Sequence, residues 1–260
     1  MNTPESLEQR IRRYWNTQPC NIRHGRGEPG TLEFFQEVSA RRYRVEPHIA
    51  EFAGFHLWQG QQVLEIGPGI GSDAAEFARH GAVYTGLDYS DESVKLAQKR
   101  FEVEQLEGTF IRGDASNPGD YPDHEFDLVY SYGVIHHFPA IEQIIDNVYA
   151  ALKPGGEFRF MVYAKNSWKQ AMIYKGLDQY EAQNGCPYAK SYTKHEIHDL
   201  LGNRFQIDRL RQDHCFMYNI EAYKAGRYEL EPWFAAMPEA MREAVREYLG
   251  WHLLVKARKI

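Results

Sequence analysis

From Gln62 onward, short β-rich runs alternate with stretches of helical spacing, a rhythm that predicts a parallel α/β sheet. The strand-like runs are Val63–Ile66, Val83–Leu87, Thr109–Ile111, Leu128–Tyr132 and Phe158–Tyr163. Ser72 and Asp73 are placed to cap a helix that runs to about His80 and ends at Gly81. Ser90 is placed to cap the next, with Asp91 and Glu92 suited to the positive end of its dipole. Ile141, Ile144, Ile145, Val148 and Leu152 recur at i, i+3, i+4, i+7 and i+11. That spacing is one apolar helix face, ahead of the turn Lys153-Pro154-Gly155-Gly156. Farther on, Lys194–Leu201 and Pro238–Leu249 predict helices, and Phe205–Leu210 and Trp251–Arg258 predict strands, seven strands in all.

Two regions break the rhythm. Residues 1–58 combine charge with aromatics (Tyr14-Trp15, Phe34-Phe35, Arg41-Arg42-Tyr43-Arg44), and residues 164–192 carry Trp168, Tyr174, Tyr180, Tyr188 and Tyr192. Both are expected to be additions over one end of a core: a helical N-terminal lid over 1–58, and a cap at about 164–192 inserted in a domain spanning 59–260. The length agrees, since 260 residues at about 150 per domain is one large domain or a domain with an appendage. An aromatic content of 14% is concentrated enough in these two segments to mark where an apolar or planar ligand would be enclosed.

Composition narrows the function. The 30 Lys and Arg against 36 Asp and Glu leave a net charge of −6, which argues against a general nucleic-acid binder. Cys20, Cys186 and Cys215 have no CxxC spacing, so neither a disulfide framework nor a metal centre is expected. The N-terminal stretch MNTPESLEQRIRRYWN has no signal-like apolar run, and no run approaches the roughly 20 residues of a membrane span. A cytoplasmic protein with no membrane partner is the expectation.

Val63-Leu64-Glu65-Ile66-Gly67-Pro68-Gly69-Ile70-Gly71 is a buried strand running into a glycine turn and then a helix. Glycines let the backbone turn sharply and approach a ligand that a Cβ would block. The GxxxxGK[ST] phosphate loop is absent. The dinucleotide fingerprint GxGxxG fits at Gly67 and Gly69, but its third glycine falls on Ser72. Asp88 ends the second strand, 21 residues after Gly67, where an acidic residue accepts from ribose hydroxyls. That feature suits NAD and S-adenosylmethionine (SAM) equally. Glu65 is placed for an ammonium group, which SAM carries and NAD lacks, and Asp114 for an adenine amino group.

The runs Val63–Gly71, Gly86-Leu87-Asp88-Tyr89-Ser90, Gly113-Asp114-Ala115, Asp127–His137 and Leu152–Gly156 resemble the class I SAM-dependent methyltransferases. The likeness is strongest to the small-molecule branch that includes the ubiquinone and menaquinone methyltransferases. It covers about two thirds of the chain and leaves 1–58 and 164–192 unexplained. It implies a Rossmann-like seven-stranded sheet with the last strand antiparallel, and SAM as cofactor. Glu65, Gly67, Gly69 and Gly71 would line the methionine end, Asp88 with the adjoining Tyr89 the ribose, and Asp114 and Ala115 the adenine.

The expected reaction is methyl transfer to an oxygen or nitrogen of a small molecule, with carbon methylation the alternative. An NAD-dependent oxidoreductase or a non-catalytic SAM-binding protein stands further back. His136, His137, Tyr43 and His48 are the candidate bases, imidazole having the right range near neutrality. His136 and His137 are adjacent at an expected strand end, so at most one should face the cavity. Arg42 in the lid, with Tyr163, Lys165 and Trp168 at the carboxyl end of the fifth strand, are the candidate acceptor contacts.

Overall fold

The computed structural model describes residues 5–177 and 185–260; Tyr180 and the middle of the expected cap lie outside the described residues. Strand β1 (Gln62–Ile66) pairs in parallel with β2 (Val83–Asp88) on one side and β4 (Phe126–Tyr132) on the other. β3 (Thr109–Arg112) extends the first side and β5 (Leu152–Ala164) the second, both in parallel. The short β6 (Ser191–Tyr192) pairs with the end of β5. Strand β7 (Phe205–Asp213) lies at the sheet edge, and β8 (His252–Lys259) runs antiparallel between β5 and β7. The order is β3-β2-β1-β4-β5-β8-β7. The antiparallel last strand is as expected, while the two-residue β6 makes eight strands among the described residues rather than seven.

The chain leaves β1 toward β2 and β3, then returns to β4 on the opposite side of β1. A crevice therefore opens beyond the carboxyl ends of β1 and β4, where open α/β sheets bind ligands. Strand alternation sorts the core into two layers. Leu64, Ile66, Val129, Phe158 and Phe160 pack toward α6 (Ile141–Ala151) and α8 (Lys194–Leu201). Val63, Leu128, Tyr130, Tyr132 and Met161 pack toward α3 (His48–Ala53), α4 (Ser72–Arg79) and α5 (Asp91–Glu104). The apolar stripe Ile141, Ile144, Ile145 and Val148 is thus the inner face of α6, whereas Leu152, read as its last member, is extended and opens β5.

The segment before β1 is built into this second layer. Ile49, Phe52, Phe55 and Trp58 are core residues, and α2 (Leu32–Val45) buries Phe34, Phe35 and Val38 against Ile70. Helix α1 (Leu7–Thr17) is tied to the start of α5 by an Arg12–Asp91 ion pair of 2.7 Å. After β5, α7 (Trp168–Tyr174), α10 (Pro232–Ala235) and α11 (Glu239–Leu249) meet in a satellite cluster around Cys215, Met217 and Phe234. The intervening α9 (Ile220–Lys224) sets Tyr223 against Phe216, rings 4.8 Å apart.

Two local expectations are corrected. Helix α4 is preceded by Gly71, whose φ of +78° is left-handed and which offers no side chain, so Ser72 and Asp73 are not its caps. They have other partners. The Ser72 hydroxyl accepts from the fully buried Arg100 at 3.0 Å. Asp73 is 3% exposed and accepts from Arg42 Nε (2.9 Å) and Nη2 (2.7 Å), Tyr43 Oη (2.9 Å) and Tyr130 Oη (2.9 Å). Second, Lys153–Gly156 is looped out within β5 rather than preceding it, because the register with β4 shifts between Phe126 and Leu128. Ser90 caps α5 as expected, accepting from the Ser93 N–H.

The Arg42–Asp73 pair is bidentate and withdrawn from water, so removing one partner leaves an uncompensated buried charge. Asp73→Ala should cost about 3–5 kcal/mol in urea unfolding; a loss below about 1 kcal/mol would show that α2 is not anchored through this carboxylate.

Candidate active site

The site begins with the turn after β1. Gly67, Gly69 and Gly71 have φ of +75°, +56° and +78°, a sequence of left-handed residues that L side chains resist. A Cβ on Gly67 would lie 2.5 Å from the Val134 methyls, whereas one on Gly69 would find its nearest neighbour, Cys20 Cβ, at 3.7 Å. The first glycine is therefore required by packing and the second by backbone conformation.

Asp88 ends β2 beside this turn. Its Oδ2 accepts from the Gly69 N–H at 3.0 Å and its Oδ1 from the Ser90 N–H at 2.8 Å. Burial pushes its pKa up to about 6, against the opposing pull of those backbone donors. Glu65, on the face of β1 toward α4, is 3% exposed and accepts from Tyr84 Oη at 2.6 Å. Burial and the nearby Asp73 carboxylate hold its pKa well above the ordinary range, so it retains a proton until a cation arrives.

Around the turn lies a first cavity, with Glu65, Gly67, Gly69, Asp88, Tyr89 and Ala115 among its lining residues. A second cavity of about 560 Å³ opens next to it, between the N-terminal helices and the carboxyl ends of β4, β5 and β7. Trp15, Cys20, Asn21, Arg42, Tyr132, Gly133 and His137 line both, so the two share a wall. Among the described residues, cations dominate the second cavity: Arg23, Arg41, Arg42 and Lys169 line it, against the single carboxylate of Glu46.

The expected cofactor contacts thus converge, with two exceptions. Gly71 caps α4 just behind the lining, and Asp114 turns Oδ1 back onto Ser116 N (2.8 Å) and Oγ (2.7 Å), stabilising its own turn. Among the candidate bases, His137 alone lines both cavities. It sits on a one-turn 3-10 helix, Ile135–His137, rather than on a strand end, and this turn swings His136 away. His136 is fully buried, its ring 4.0 Å from that of Tyr163, and it lines neither cavity. His137 Nδ1 lies 2.9 Å from the Tyr188 carbonyl, which can only accept, so Nδ1 carries the proton and Nε2 is the basic nitrogen. Burial lowers the His137 pKa to about 4, keeping the ring neutral. Tyr43 is committed to Asp73 and does not line a cavity.

His48 is buried behind the second cavity in a polar cluster. Its Nε2 is 2.8 Å from Tyr132 Oη and 3.1 Å from His252 Nδ1, and Tyr132 Oη is 2.9 Å from His252 Nδ1 and 3.2 Å from Glu46 Oε2. The His214 ring stacks on His252 at 4.5 Å.

Of the acceptor candidates, Arg42 and Tyr163 line the second cavity. Lys165 does not: it is exposed and reaches Glu196 at 3.6 Å. Trp168 does not either, since it packs on Trp233 and the satellite cluster. The lysine facing the cavity is Lys169, four residues farther on in the first turn of α7, with its ammonium 3.8 Å from the Phe216 ring centre. Lys169, Glu46, His214 and His252 were not anticipated. They come from four separate chain segments and carry no local motif.

Comparisons with known proteins agree with this geometry. Residues 64–160 match the family model described as a methyltransferase domain. A sterol 24-C-methyltransferase of Yarrowia lipolytica is 34% identical over 129 residues, 48% of this chain and 32% of that protein. A fatty-acid O-methyltransferase of Mycolicibacterium smegmatis is 35% identical over 134 residues, 51% of this chain and 47% of that protein. The chain thus spans less than half the length of these curated relatives. Among solved structures, the magnesium protoporphyrin IX methyltransferase of Synechocystis PCC 6803 with bound SAM superposes with a TM-score of 0.61 at 17% identity, all of each chain being covered. The [4+2]-cyclase SpnF superposes with a TM-score of 0.60 at 20% identity, covering 100% of this chain and 98% of that one. At these identities the structural likeness establishes the Rossmann-like methyltransferase fold. Among the described residues, no helix is long and apolar enough to cross a membrane.

Proposed function

We propose that this chain is a SAM-dependent methyltransferase that acts on an oxygen or nitrogen of a small, anionic molecule held in the second cavity. The observation that carries the proposal is the wall shared by the two cavities, because displacement at a methyl group needs donor and acceptor in line and sheltered from bulk water. The first cavity fits SAM. Glu65 would hold the ammonium, Asp88 with Tyr89 the ribose, and Ala115 would line the adenine, with the Asp114 turn behind it. The glycine turn at Gly67, Gly69 and Gly71 lets the chain approach the methionine end. When bound, SAM supplies an electrophilic methyl on a sulfonium.

The remaining chemistry belongs to the side chains at and beyond the wall. His137 Nε2, its pKa lowered to about 4, accepts the proton that a hydroxyl sheds as its oxygen bonds the methyl carbon. Relatives act, by their names, on both carbon and oxygen, and a neutral imidazole at the shared wall favours the heteroatom. Trp15 lines the first cavity as an aromatic residue that could meet a sulfonium. Arg23, Arg41 and Lys169 suit a carboxylate or phosphate on the acceptor. In this reading the N-terminal helices wall the cavities on one side, and the small-molecule branch that includes the ubiquinone and menaquinone enzymes is taken from the motif resemblance alone.

Two experiments bear on this. In the free protein Glu65 holds a proton near neutrality; an ammonium beside it favours the carboxylate, so binding expels that proton and affinity rises with pH. Calorimetry between about pH 6.5 and 7.5 should show SAM binding tightening and releasing a proton, and Glu65→Gln should abolish both effects. A pH-independent affinity in the wild type would remove Glu65 from the ammonium site. In the second, labelled SAM is incubated with fractionated anionic metabolites. A methylated product with stoichiometric S-adenosylhomocysteine is expected, with turnover down about 100-fold or more in His137→Ala. SAM binding without transfer to any fraction would leave a binding protein rather than an enzyme.

A further inference from the structure

We propose that Glu46, His48 and His252, with Tyr132 between them, form a binding site for one divalent transition-metal ion on the wall of the second cavity. The four donor atoms come from separate parts of the fold: Glu46 and His48 from the junction of α2 and α3, Tyr132 from the end of β4, and His252 from the start of β8. One ligand atom each from Glu46, His48 and His252 lies within 4.8 Å of the others. The closest spacings are 2.8 Å (Tyr132 to His48), 2.9 Å (Tyr132 to His252), 3.1 Å (His48 to His252) and 3.2 Å (Tyr132 to Glu46). Glu46 to His252 is 3.8 Å. Ligands bound at about 2.0–2.2 Å in tetrahedral or octahedral arrangement lie about 3–3.5 Å apart; the 3.1 and 3.2 Å spacings fall in that range, and the 2.8, 2.9 and 3.8 Å spacings reach it with side-chain shifts of about 0.1–0.3 Å.

Hydrogen bonds can pair each of these groups, but they cannot fill every close contact among them. A ring nitrogen of a neutral imidazole either donates or accepts, never both. If His48 Nε2 donates to Tyr132 and Tyr132 donates to His252 Nδ1, the 3.1 Å contact between the two ring nitrogens has no proton of its own. Every other assignment among these three groups likewise leaves one edge without a hydrogen bond. A cation among the donors satisfies the lone pairs together.

The donor set selects the ion. Two imidazoles with a carboxylate suit Fe(II), Mn(II), Co(II) or Zn(II), while Ca(II) and Mg(II) prefer oxygen shells and Cu(I) prefers thiolates. Glu46, Tyr132 and His252 line the second cavity, so a remaining coordination position would face a bound small molecule. Resting on the methyl-transfer proposal, the ion's role is to coordinate the acceptor's oxygen or nitrogen and lower its pKa. Binding of the ion itself does not depend on that proposal.

The test is Co(II) titration of the chelator-treated full chain, followed by d–d absorption and calorimetry, with SAM calorimetry run in parallel. Saturable binding of one Co(II) per chain is expected, weakened about tenfold or more in both Glu46→Gln and His252→Asn. Glu46→Gln keeps the size of the side chain and should keep wild-type SAM affinity, which separates loss of the ion from loss of the fold. Absence of saturable Co(II) binding in the wild type, or binding unchanged in both variants, would overturn the site. Either result obtained with SAM binding intact leaves the methyl-transfer proposal standing.

Discussion

One buried carboxylate organises the molecule. Asp73 takes the Arg42 guanidinium in a two-point grip and the hydroxyls of Tyr43 and Tyr130 besides, which joins α2, the first turn of α4 and the centre of β4. Such a group is costly to desolvate and is tolerated because its oxygens are fully engaged. Its position has two consequences. The N-terminal helices are held over the carboxyl edge of the sheet, where they become one side of both cavities. Arg42 is also drawn into the shared wall, with its guanidinium 5.1 Å from the Tyr132 ring centre.

The two cavities have opposite electrical character, and that difference is the basis of their proposed division of labour. Glu65 and Asp88 are acids made reluctant to ionise by burial, and each gains from a ligand that brings a cation or hydroxyl donors. Across the wall, Arg23, Arg41 and Lys169 face the second space and attract negative charge. A cationic methyl donor and an anionic acceptor would each be drawn to its own side and meet at Tyr132, Gly133 and His137. An ion held by Glu46, His48 and His252 would add to the positive field on the acceptor side, and the Glu46 carboxylate is what would hold it against the neighbouring cations.

The parallel core could be read from the sequence because its signals are local. The glycine turn, Asp88 at a strand end, the Ser90 cap and the apolar stripe from Ile141 to Val148 each lie within a few residues. Long-range pairing was hidden. Asp73 looked like a helix cap because its partners, Arg42 and Tyr130, are 31 and 57 residues away in the chain. The acceptor side was read four residues off, at Lys165 rather than Lys169, because α7 starts only at Trp168, where the chain joins the satellite cluster around Phe234. The histidine cluster had no signature at all: His48 and His252 are 204 residues apart and meet only when β8 inserts beside β5. SpnF, a [4+2]-cyclase on a comparable backbone, shows why such side-chain constellations, rather than the sheet, must carry the functional argument.

The central claim is that two ligands meet across one wall. A crystal structure of the chain with S-adenosylhomocysteine tests it most directly. The account predicts the ribose hydroxyls on the Asp88 carboxylate, the amino group on Glu65, and the sulfur facing the second cavity between Tyr132, Gly133 and His137. A ligand bound elsewhere, or one whose sulfur is closed off from that cavity, would contradict it.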